Sequence, residues 1–449
     1  MSRKRILILT NVAGLVLAWL IPSLGWAAGG YSISAGASRS DNIQRVPGQN
    51  GIDETVSNLT AAFVINNQSP RLSMSLFGQG TYLQYADNSF ADELVPRATL
   101  NVDWNMSPAR LTWVVDDRFG QITDDPFGAF TPDTIENTNI FSTGPQFTFG
   151  ASPTRLLLID IRGENHWYEN QDIDNDRLNG SLELLRELNN QRSVGLTIYA
   201  EQVDFRNEGA GTDYDIYEAF ATFSQNSGSL QYSIDAGVTA LEVNSESSDG
   251  ALGRLKLTKN FDSNWIVSLS GEYSYTDSGN RFLIGREQSS AGPGQSVDDD
   301  SLVAAGSPLR LEHMDAEISR RGERQGFDLS LYWEAETFDL DPVFNRDQRG
   351  ASLDYDIRIT PLNTAFFRVN YREVDFESTA RTDENLELEF RFQRTLTKNL
   401  SLTARVGRIE RTSTDLANEF EENIFGLIMT YNSDLMDALQ REPRGIRAR

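Results

Sequence analysis

The chain of 449 residues contains no cysteine. This absence excludes disulfide bonds, thiol catalysis and thiolate metal ligands, and it excludes a lipoprotein anchor, which requires a cysteine. A chain without thiols suits an oxidising compartment, where a free thiol is a hazard. Only two histidines occur, His166 and His313, so sites built on histidine have few candidates.

Basic residues are also scarce. Lysine and arginine number 40 against 65 aspartates and glutamates, which gives a net charge of −25. We therefore exclude nucleic acid as a partner, because its binding needs clustered positive charge. Three basic residues, Arg3, Lys4 and Arg5, precede an apolar stretch that ends in Gly25-Trp26-Ala27. This pattern predicts a cleaved signal peptide over residues 1–27, with a membrane anchor as the alternative.

Long hydrophobic runs are missing beyond residue 27, where no segment has the roughly 18–20 apolar residues of a membrane helix. The mean hydropathy is −0.42. A barrel strand, however, needs only every second residue to be apolar. Such alternation is present between Leu386 and Gln393, where one face is apolar and the other is Glu387, Glu389, Arg391 and Gln393. A period of two with one apolar face predicts a strand.

Short polar turns recur along the chain, most of them roughly 35–45 residues apart, and an alternating run follows each one. This spacing corresponds to two long strands and one loop, so it predicts a repeated hairpin. The turns lie at Gln68–Pro70, Ser107–Ala109, Ser152–Thr154, Asn189–Gln191, Asn226–Gly228, Asp262–Asn264, Glu323–Gln325, Pro361–Asn363 and Lys398-Asn399.

The fold predicted from these runs is all-β. A soluble sandwich would show the same alternation, but runs of roughly 10–15 residues favour membrane strands over soluble strands of five or six. We predict a transmembrane antiparallel up-and-down β-barrel of about 20 strands, with 18 possible, over residues 28–431. Its first strand is Tyr31–Ser38 and its last is Glu421–Tyr431. Short periplasmic turns alternate with longer extracellular loops at Asp124–Glu136, Asn170–Asp176, Asn207–Asp213, Asn244–Gly250 and Gly279–Arg310.

The last predicted strand contains Gly426, an apolar Met429 three positions on and Tyr431 two positions beyond that. This arrangement resembles the terminal sequence that the barrel-assembly machinery recognises, so we expect that machinery and outer-membrane lipid as partners. Ile424 departs from the pattern, which has a polar residue two positions before the glycine. Residues 432–449 are predicted to be a basic periplasmic tail.

No catalytic arrangement is evident. The two histidines lie in strand-like segments beside acids, and no Gly-x-Ser-x-Gly elbow, phosphate loop, dinucleotide fingerprint or zinc spacing occurs. We therefore predict no catalytic residue and no cofactor, and we expect both histidines to be polar residues that face the surface or the lumen.

One acidic segment is a candidate for divalent cations. Asp172, Asp174 and Asp176, with Glu183, match the first, third, fifth and twelfth positions of a calcium-binding loop. Arg177 stands where that loop needs glycine, and strands rather than helices flank the segment. We therefore predict no calcium-hand site and retain the three aspartates as candidates for loose divalent binding.

The polar faces of the strands predict lumen-lining side chains of both signs. One interpretation is a set of cross-strand ion pairs, each worth little, and the other is a selectivity surface for a polar solute. The long loop Gly279–Arg310 could fold inward as a constriction or outward as a lid or an adhesive surface. The candidate lumen residues are Asp160, Arg162, Glu164, Asp328, Glu334, Asp354, Asp356, Arg358, Arg368, Arg372, Glu387, Glu389 and Arg391.

Several short motifs resemble those of a known family. They are the strand Gly30–Ser34 followed by Ser40–Ile43, and the Ser-Pro-x-Arg turns at Ser107–Arg110 and Ser152–Arg155. With these motifs and its all-strand layout, the chain resembles the β-barrel porins found with exopolysaccharide-biosynthesis and exosortase loci of Gram-negative bacteria. The basic C-terminal tail departs from the aromatic ending usual in that family.

The resemblance implies an outer-membrane barrel that helps a polysaccharide leave the cell, with polysaccharide and periplasmic export components as partners and no catalytic residues. We therefore predict a non-enzymatic passive conduit in the outer membrane. A porin for small solutes is one alternative, and an outer-membrane enzyme or a surface adhesin is another.

Overall fold

Twenty antiparallel strands make up most of this computed structural model, which describes residues 28–433 except residues 49, 126, 153, 208–209, 262–263 and 285–304. The predicted signal peptide and residues 434–449 of the predicted tail lie outside the described residues. The strands are β1 (Ala28–Ser40), β2 (Glu54–Gln68), β3 (Leu72–Tyr85), β4 (Glu93–Ser107), β5 (Leu111–Thr123), β6 (Ile135–Ser152), β7 (Arg155–Tyr168), β8 (Asn175–Asn189), β9 (Arg192–Phe205), β10 (Tyr214–Asn226), β11 (Leu230–Val243), β12 (Glu246–Asn260), β13 (Trp265–Thr276), β14 (Leu309–Arg321), β15 (Gln325–Phe338), β16 (Arg346–Thr360), β17 (Asn363–Phe376), β18 (Arg381–Thr395), β19 (Leu400–Ser413) and β20 (Phe420–Asn432).

Helical structure in the described ranges is short. One α-helix, α1 (Ser278–Ile284), lies between β13 and β14. Three 3₁₀ turns lie in other loops, at Pro132–Thr134, Pro342–Phe344 and Leu416–Asn418. No helix of the described residues is both long enough and apolar enough to cross a membrane.

The sheet closes on itself. Each strand pairs with the next one in chain order, and β1 also pairs with β20, with Ser32 opposite Asn432 and Ser40 opposite Ile424. Because every described strand has two neighbours, the sheet has no open edge. The prediction of an antiparallel barrel with about 20 strands is confirmed, and the alternative of 18 strands is wrong. The first and last strands each extend beyond their predicted bounds.

Apolar side chains cover the outer face of the barrel. Phe367 of β17 and Phe390 of β18 lie opposite each other and are 42% and 47% exposed. Successive side chains of a strand point to opposite faces, so Arg368 and Glu389 point into the lumen. The same alternation that identified the strands in the sequence thus separates an apolar exterior from a charged interior.

All nine predicted short turns coincide with breaks between consecutive strands at one end of the barrel, for example residues 69–71 between β2 and β3. The longer connections lie at the opposite end, called the long-loop end below. These include residues 124–134 between β5 and β6 and residues 277–308 between β13 and β14. The predicted asymmetry between short turns and long loops is therefore present.

One predicted long loop, Asn244–Gly250, is wrong. β11 ends at Val243 and β12 begins at Glu246, which leaves a turn of two residues, Asn244 and Ser245. Both have positive φ, 50° and 70°, as a tight hairpin turn of the primed type requires. Residues 246–249 are polar and exposed on both faces, yet they pair with β11. A strand that is exposed on both faces does not need alternating apolar and polar residues. The uniformly polar composition of residues 246–249 therefore suggested a loop.

Apolar side chains also cluster inside the barrel, at the long-loop end. They come from β5–β7, β9–β11 and β13, from the loop between β7 and β8 and from α1, and together they form a small core. The prediction of a polar lumen did not include this cluster. Its buried members are Ile122, Ile140, Tyr168, Ile173, Val203, Phe205, Tyr214, Ile216, Leu241, Tyr275 and Phe282.

Candidate functional site

The segment between β13 and β14 enters the lumen through α1, and Asp277 starts this helix. The Oδ1 atom of Asp277 accepts hydrogen bonds from the backbone amides of Gly279 at 2.8 Å and Asn280 at 3.1 Å. The backbone carbonyl of Asp277 accepts a hydrogen bond from the backbone amide of Arg281 at 3.1 Å. A carboxylate at this position satisfies amides that the first helical turn leaves without partners. Asp277 therefore fixes the local conformation of α1.

Arg177 of β8 binds the same carboxylate. Its Nη1 atom donates to Asp277 Oδ2 at 2.8 Å, and its Nη2 atom donates to Asp277 Oδ1 at 2.9 Å. Only 2% of the Arg177 side chain and 3% of the Asp277 side chain are exposed. Charge-assisted pairs with two parallel hydrogen bonds are strong and directional. Two residues 100 positions apart in the sequence thus attach the start of α1 to the barrel wall.

Glu201 of β9 joins this pair. It accepts hydrogen bonds from Arg177 Nη1 at 3.0 Å, from Asn280 Nδ2 at 3.1 Å and from the Tyr199 hydroxyl at 2.9 Å. Glu201 and Asp277 therefore share one guanidinium in a buried network. Removal of that guanidinium would leave two buried negative charges without a counter-charge, which is strongly unfavourable.

Arg281 attaches α1 to a different part of the wall. It donates to Glu334 at 2.7 Å and pairs with Glu336, and both acids are on β15. Glu336 also accepts from Arg346 of β16 at 2.7 Å, and Glu334 lies 3.2 Å from His313 of β14. The helix is therefore bound to β8 and β9 at its start and to β15 through Arg281, and residues of β14 and β16 bind the same two acids.

Phe282, the next residue of α1, packs against a third region. Its side chain is 1% exposed, and the Arg118 guanidinium of β5 lies 4.8 Å from its ring centroid. In a ring of 20 strands, β5 and β15 are ten strands apart and belong to opposite walls. Consecutive residues of α1 thus contact opposite walls, so α1 crosses the lumen. The described part of the predicted loop Gly279–Arg310 folds inward, and residues 285–304 lie outside the described residues.

Gly279 lies against the imidazole of His166 on β7. A Cβ atom at position 279 would collide with His166 Nδ1 and Cε1, so this close approach requires glycine. His166 is fully buried, and its Nε2 atom lies 3.1 Å from Glu164 Oε2. The histidine predicted to face the surface or the lumen therefore points inward and is covered by α1.

A second segment, residues 124–134, reaches the opposite side of the long-loop end. Three of its backbone carbonyls accept hydrogen bonds from three arginines: Phe127 O from Arg381 at 2.7 Å, Gly128 O from Arg411 at 2.9 Å and Phe130 O from Arg45 at 2.6 Å. These arginines belong to β18, β19 and the loop between β1 and β2. The loop that leaves β5 therefore spans to β18 and β19 and, together with α1, narrows this end of the lumen.

The predicted lumen residues lie on the inner faces of β7 and β15–β18, and several form ion pairs. Arg162 binds Asp160 at 2.6 Å, and Arg368 binds Asp354 at 2.6 Å. Others pair with residues that were not predicted: Glu164 with His166, Glu334 with Arg281, Asp328 and Asp356 with Arg321, and Glu389 with Arg405. Glu389 also pairs with Arg391, which was predicted. Arg358, Arg372 and Glu387 share these inner faces. A role in solute selection stays a prediction.

The divalent-cation candidates have protein partners. Arg206 binds Asp176 at 2.7 Å, and the backbone amide of Tyr168 donates to Asp174 at 2.8 Å. Asp172 lies in the same loop. Across the part of the chain that the structure describes, no group of three or more His, Cys, Asp or Glu side chains is placed to hold a metal ion. Asp174 and Asp176 thus serve the loop between β7 and β8, and Arg177 belongs to the α1 site.

The residues that bind α1 were mostly missed in the sequence. Asp277, Arg177, Glu201 and Arg281 carry no local signal, since each is one charged residue in an acidic chain. In the sequence, Arg177 is notable only because it occupies the position where a calcium-binding loop needs glycine. The one available clue was the inner-face position of Glu334, which was predicted to line the lumen and does contact Arg281.

The charge on Asp277 should keep α1 in place well into acid. Burial alone would raise the pKa of this carboxyl, but the attraction and hydrogen bonds of Arg177 outweigh burial and hold the pKa at about 2. A depressed pKa contributes stability above the unfolded value, roughly 3.9, and this stability is lost as pH falls through the folded value. We therefore expect single-channel conductance to be constant from pH 7 to about pH 4 and to rise only between about pH 4 and pH 2.

The matched control is Asp277→Asn, which should conduct at the higher level at every pH. Changes below about pH 4 that persist in this variant belong to other carboxylates. A conductance rise in the wild type between pH 7 and pH 5 would contradict the assignment to Asp277.

No protein-family model matches the chain, and no curated protein matches it. Among solved structures it is similar to the outer membrane protein opdK from Pseudomonas aeruginosa, at 8% identity and a TM-score of 0.38, over 90% of this chain and 98% of that chain. It is also similar to the siderophore receptor PirA from Acinetobacter baumannii, at 7% identity and a TM-score of 0.47, over 90% and 80% of the two chains. A third similar structure is the FrpB iron transporter from Neisseria meningitidis, at 8% identity and a TM-score of 0.45, over 90% and 81%.

Proposed function

We propose that this protein is a barrel of the Gram-negative outer membrane and acts as a conduit for a hydrophilic solute. The observation that carries the proposal is the closed ring of 20 strands with apolar side chains outside and ion-paired side chains inside. In lipid, a spanning sheet must satisfy all its backbone hydrogen bonds, and closure does so. We propose no enzymatic activity for the barrel.

The solute that we propose is an exopolysaccharide on its way out of the cell. The resemblance of the N-terminal strand and the Ser-Pro-x-Arg turns to porins of exopolysaccharide loci supports this choice. A hydrated polymer also suits a lumen wall of interleaved arginines and carboxylates, which offers hydrogen bonds without a strong field of one sign. Because α1 crosses the lumen, we propose that a polymer must displace α1 and residues 124–134 to pass.

A chromosomal deletion of the gene tests the proposal, with secreted polysaccharide and uptake of small hydrophilic solutes measured in the same strain. Export predicts loss of secreted polysaccharide with unchanged solute uptake, and plasmid-borne wild type should restore secretion. Loss of solute uptake with normal secretion would support a small-solute porin instead. If the mature protein were recovered in the soluble fraction without detergent, both the export function and the porin function would be overturned.

A further inference from the structure

A second feature of the long-loop end is a cavity between residues 124–134 and the wall of β16–β19. Asp125 and Gly128 line it from the loop, and Gln348, Arg372, Asn385 and Arg411 line it from the wall. Its carboxylates, Asp125 and Asp383, are not those of the α1 network, but one lining arginine, Arg346, also pairs with Glu336 of that network. The cavity thus adjoins the α1 network under the loop, and three of its five charged lining side chains are arginines.

Two amide nitrogens in this cavity are buried without a hydrogen-bond partner, Gln348 Nε2 and Asn385 Nδ2. The orientation of Asn385 follows from its neighbour: Arg411 Nε donates to Asn385 Oδ1 at 2.7 Å, and an arginine cannot accept in return. The nitrogen of Asn385 must therefore face away from Arg411. A buried polar group without a partner is costly, so the cavity lacks an acceptor.

The charges of the lining also favour an acceptor with negative charge. Arg346, Arg372 and Arg411 line the cavity against two carboxylates, Asp125 and Asp383. Both carboxylates are engaged elsewhere: Asp383 accepts from Arg381 at 2.9 Å and from the Ser413 hydroxyl at 2.7 Å, and Asp125 accepts the Phe127 amide at 2.9 Å. Among the arginines, Arg346 pairs with Glu336 at 2.7 Å and Arg411 donates to Gly128 O at 2.9 Å. With the amide nitrogens of Gln348 and Asn385, the polar lining is rich in donors, which suits carboxylate or phosphate oxygens.

We propose that this cavity binds an oxyanion, a carboxylate or a phosphate group, carried by a solute that enters the long-loop end. Asn385 and Gln348 donate neutral hydrogen bonds, and the arginines supply the charge. This inference concerns binding alone and holds whether or not a polymer passes through the barrel. An oxyanion here would also connect the loop after β5 to β16–β19, because the cavity is lined from both sides.

Isothermal titration of the mature chain in detergent micelles tests the proposal, with glucuronate, inorganic phosphate and glucose as probes. Asn385→Asp keeps the oxygen that faces Arg411 and replaces the free donor with a negative oxygen. Gln348→Glu likewise replaces an unpartnered amide nitrogen with a negative oxygen, on β16. The matched control is Gln393→Glu, the same change on the inner face of β18 near the short-turn end.

We expect the wild type and Q393E to bind glucuronate or phosphate but not glucose. N385D and Q348E should each weaken that binding by roughly 10- to 100-fold, because a hydrogen bond to a charged group becomes a repulsion. Tight glucuronate with weak phosphate identifies an acidic sugar, and the reverse identifies a phosphate. The proposal would be overturned if glucose bound as tightly as glucuronate, or if N385D and Q348E bound the anions as tightly as the wild type. It would also be overturned if the folded wild type bound none of the probes, in which case the cavity holds only water.

Discussion

Replacement of residues 277–308 by an Asn-Gly turn should raise the single-channel conductance of the purified barrel several-fold. Thr276 and Leu309 lie opposite each other in the β13–β14 register, so a two-residue turn can close this hairpin. The replacement removes α1, which crosses the lumen between β5 and β15. Conductance in planar bilayers should increase because the ion path widens at its narrowed end.

The matched control shortens a loop at the same end that makes no contact with α1 in the described residues. Residues 414–418, between β19 and β20, include Leu416, which is 71% exposed. Their replacement by Asn-Gly should leave conductance unchanged. If the 277–308 replacement folds, as judged by resistance to SDS without heating, and conducts like the wild type, α1 is not the constriction.

Replacement of Arg177 by methionine should release α1 while the barrel stays folded. Methionine keeps much of the side-chain volume but removes the one guanidinium that Asp277 and Glu201 share. Breaking a buried ion pair from one side costs about 3–5 kcal/mol, because a charge is left buried and unpaired. Hydrogen exchange of residues 277–284, followed by mass spectrometry, should accelerate by roughly 100-fold or more, and conductance should rise toward that of the shortened variant.

Arg368→Met is the matched control for this experiment. Arg368 also donates to a carboxylate, Asp354, but that carboxylate is 40% exposed and solvent can screen it. Exchange of residues 277–284 should stay at the wild-type rate in this variant. An unchanged rate in R177M would show that Arg281 and the buried Phe282 hold α1 without the Arg177 network.

The strands and short turns could be predicted because their signals are local. Alternation in Leu386–Gln393 records which side of one strand faces the apolar surroundings, and turn residues mark where each strand reverses. The wrong prediction of a loop at Asn244–Gly250 also arises from this dependence on local signals. Residues 246–249 are exposed on both faces, so no burial pattern distinguishes them from a loop. Their strand conformation depends on the backbone of β11 beside them.

The site could not be predicted in the same way, because its partners are remote in the chain. Asp277 meets Arg177 from 100 positions away, and Arg281 meets Glu334 across 53 positions. Nothing near Asp277 distinguishes a carboxylate that caps a buried helix from one in an exposed acidic loop. The length of the segment between β13 and β14 indicated that it was unusual, but not whether it turned inward.

The amino-acid sequence by itself determined that the chain is all-β, that it has about 20 strands, where the nine short turns of one end lie and which faces are apolar. Each of these follows from interactions between near neighbours in the chain. The tertiary structure alone decided that α1 crosses the lumen, that Arg177 holds Asp277, and that the loop after β5 covers a basic cavity on β16–β19. Closure of the ring is the physical reason, because it places β5 opposite β15 and brings together inner faces that the sequence keeps far apart.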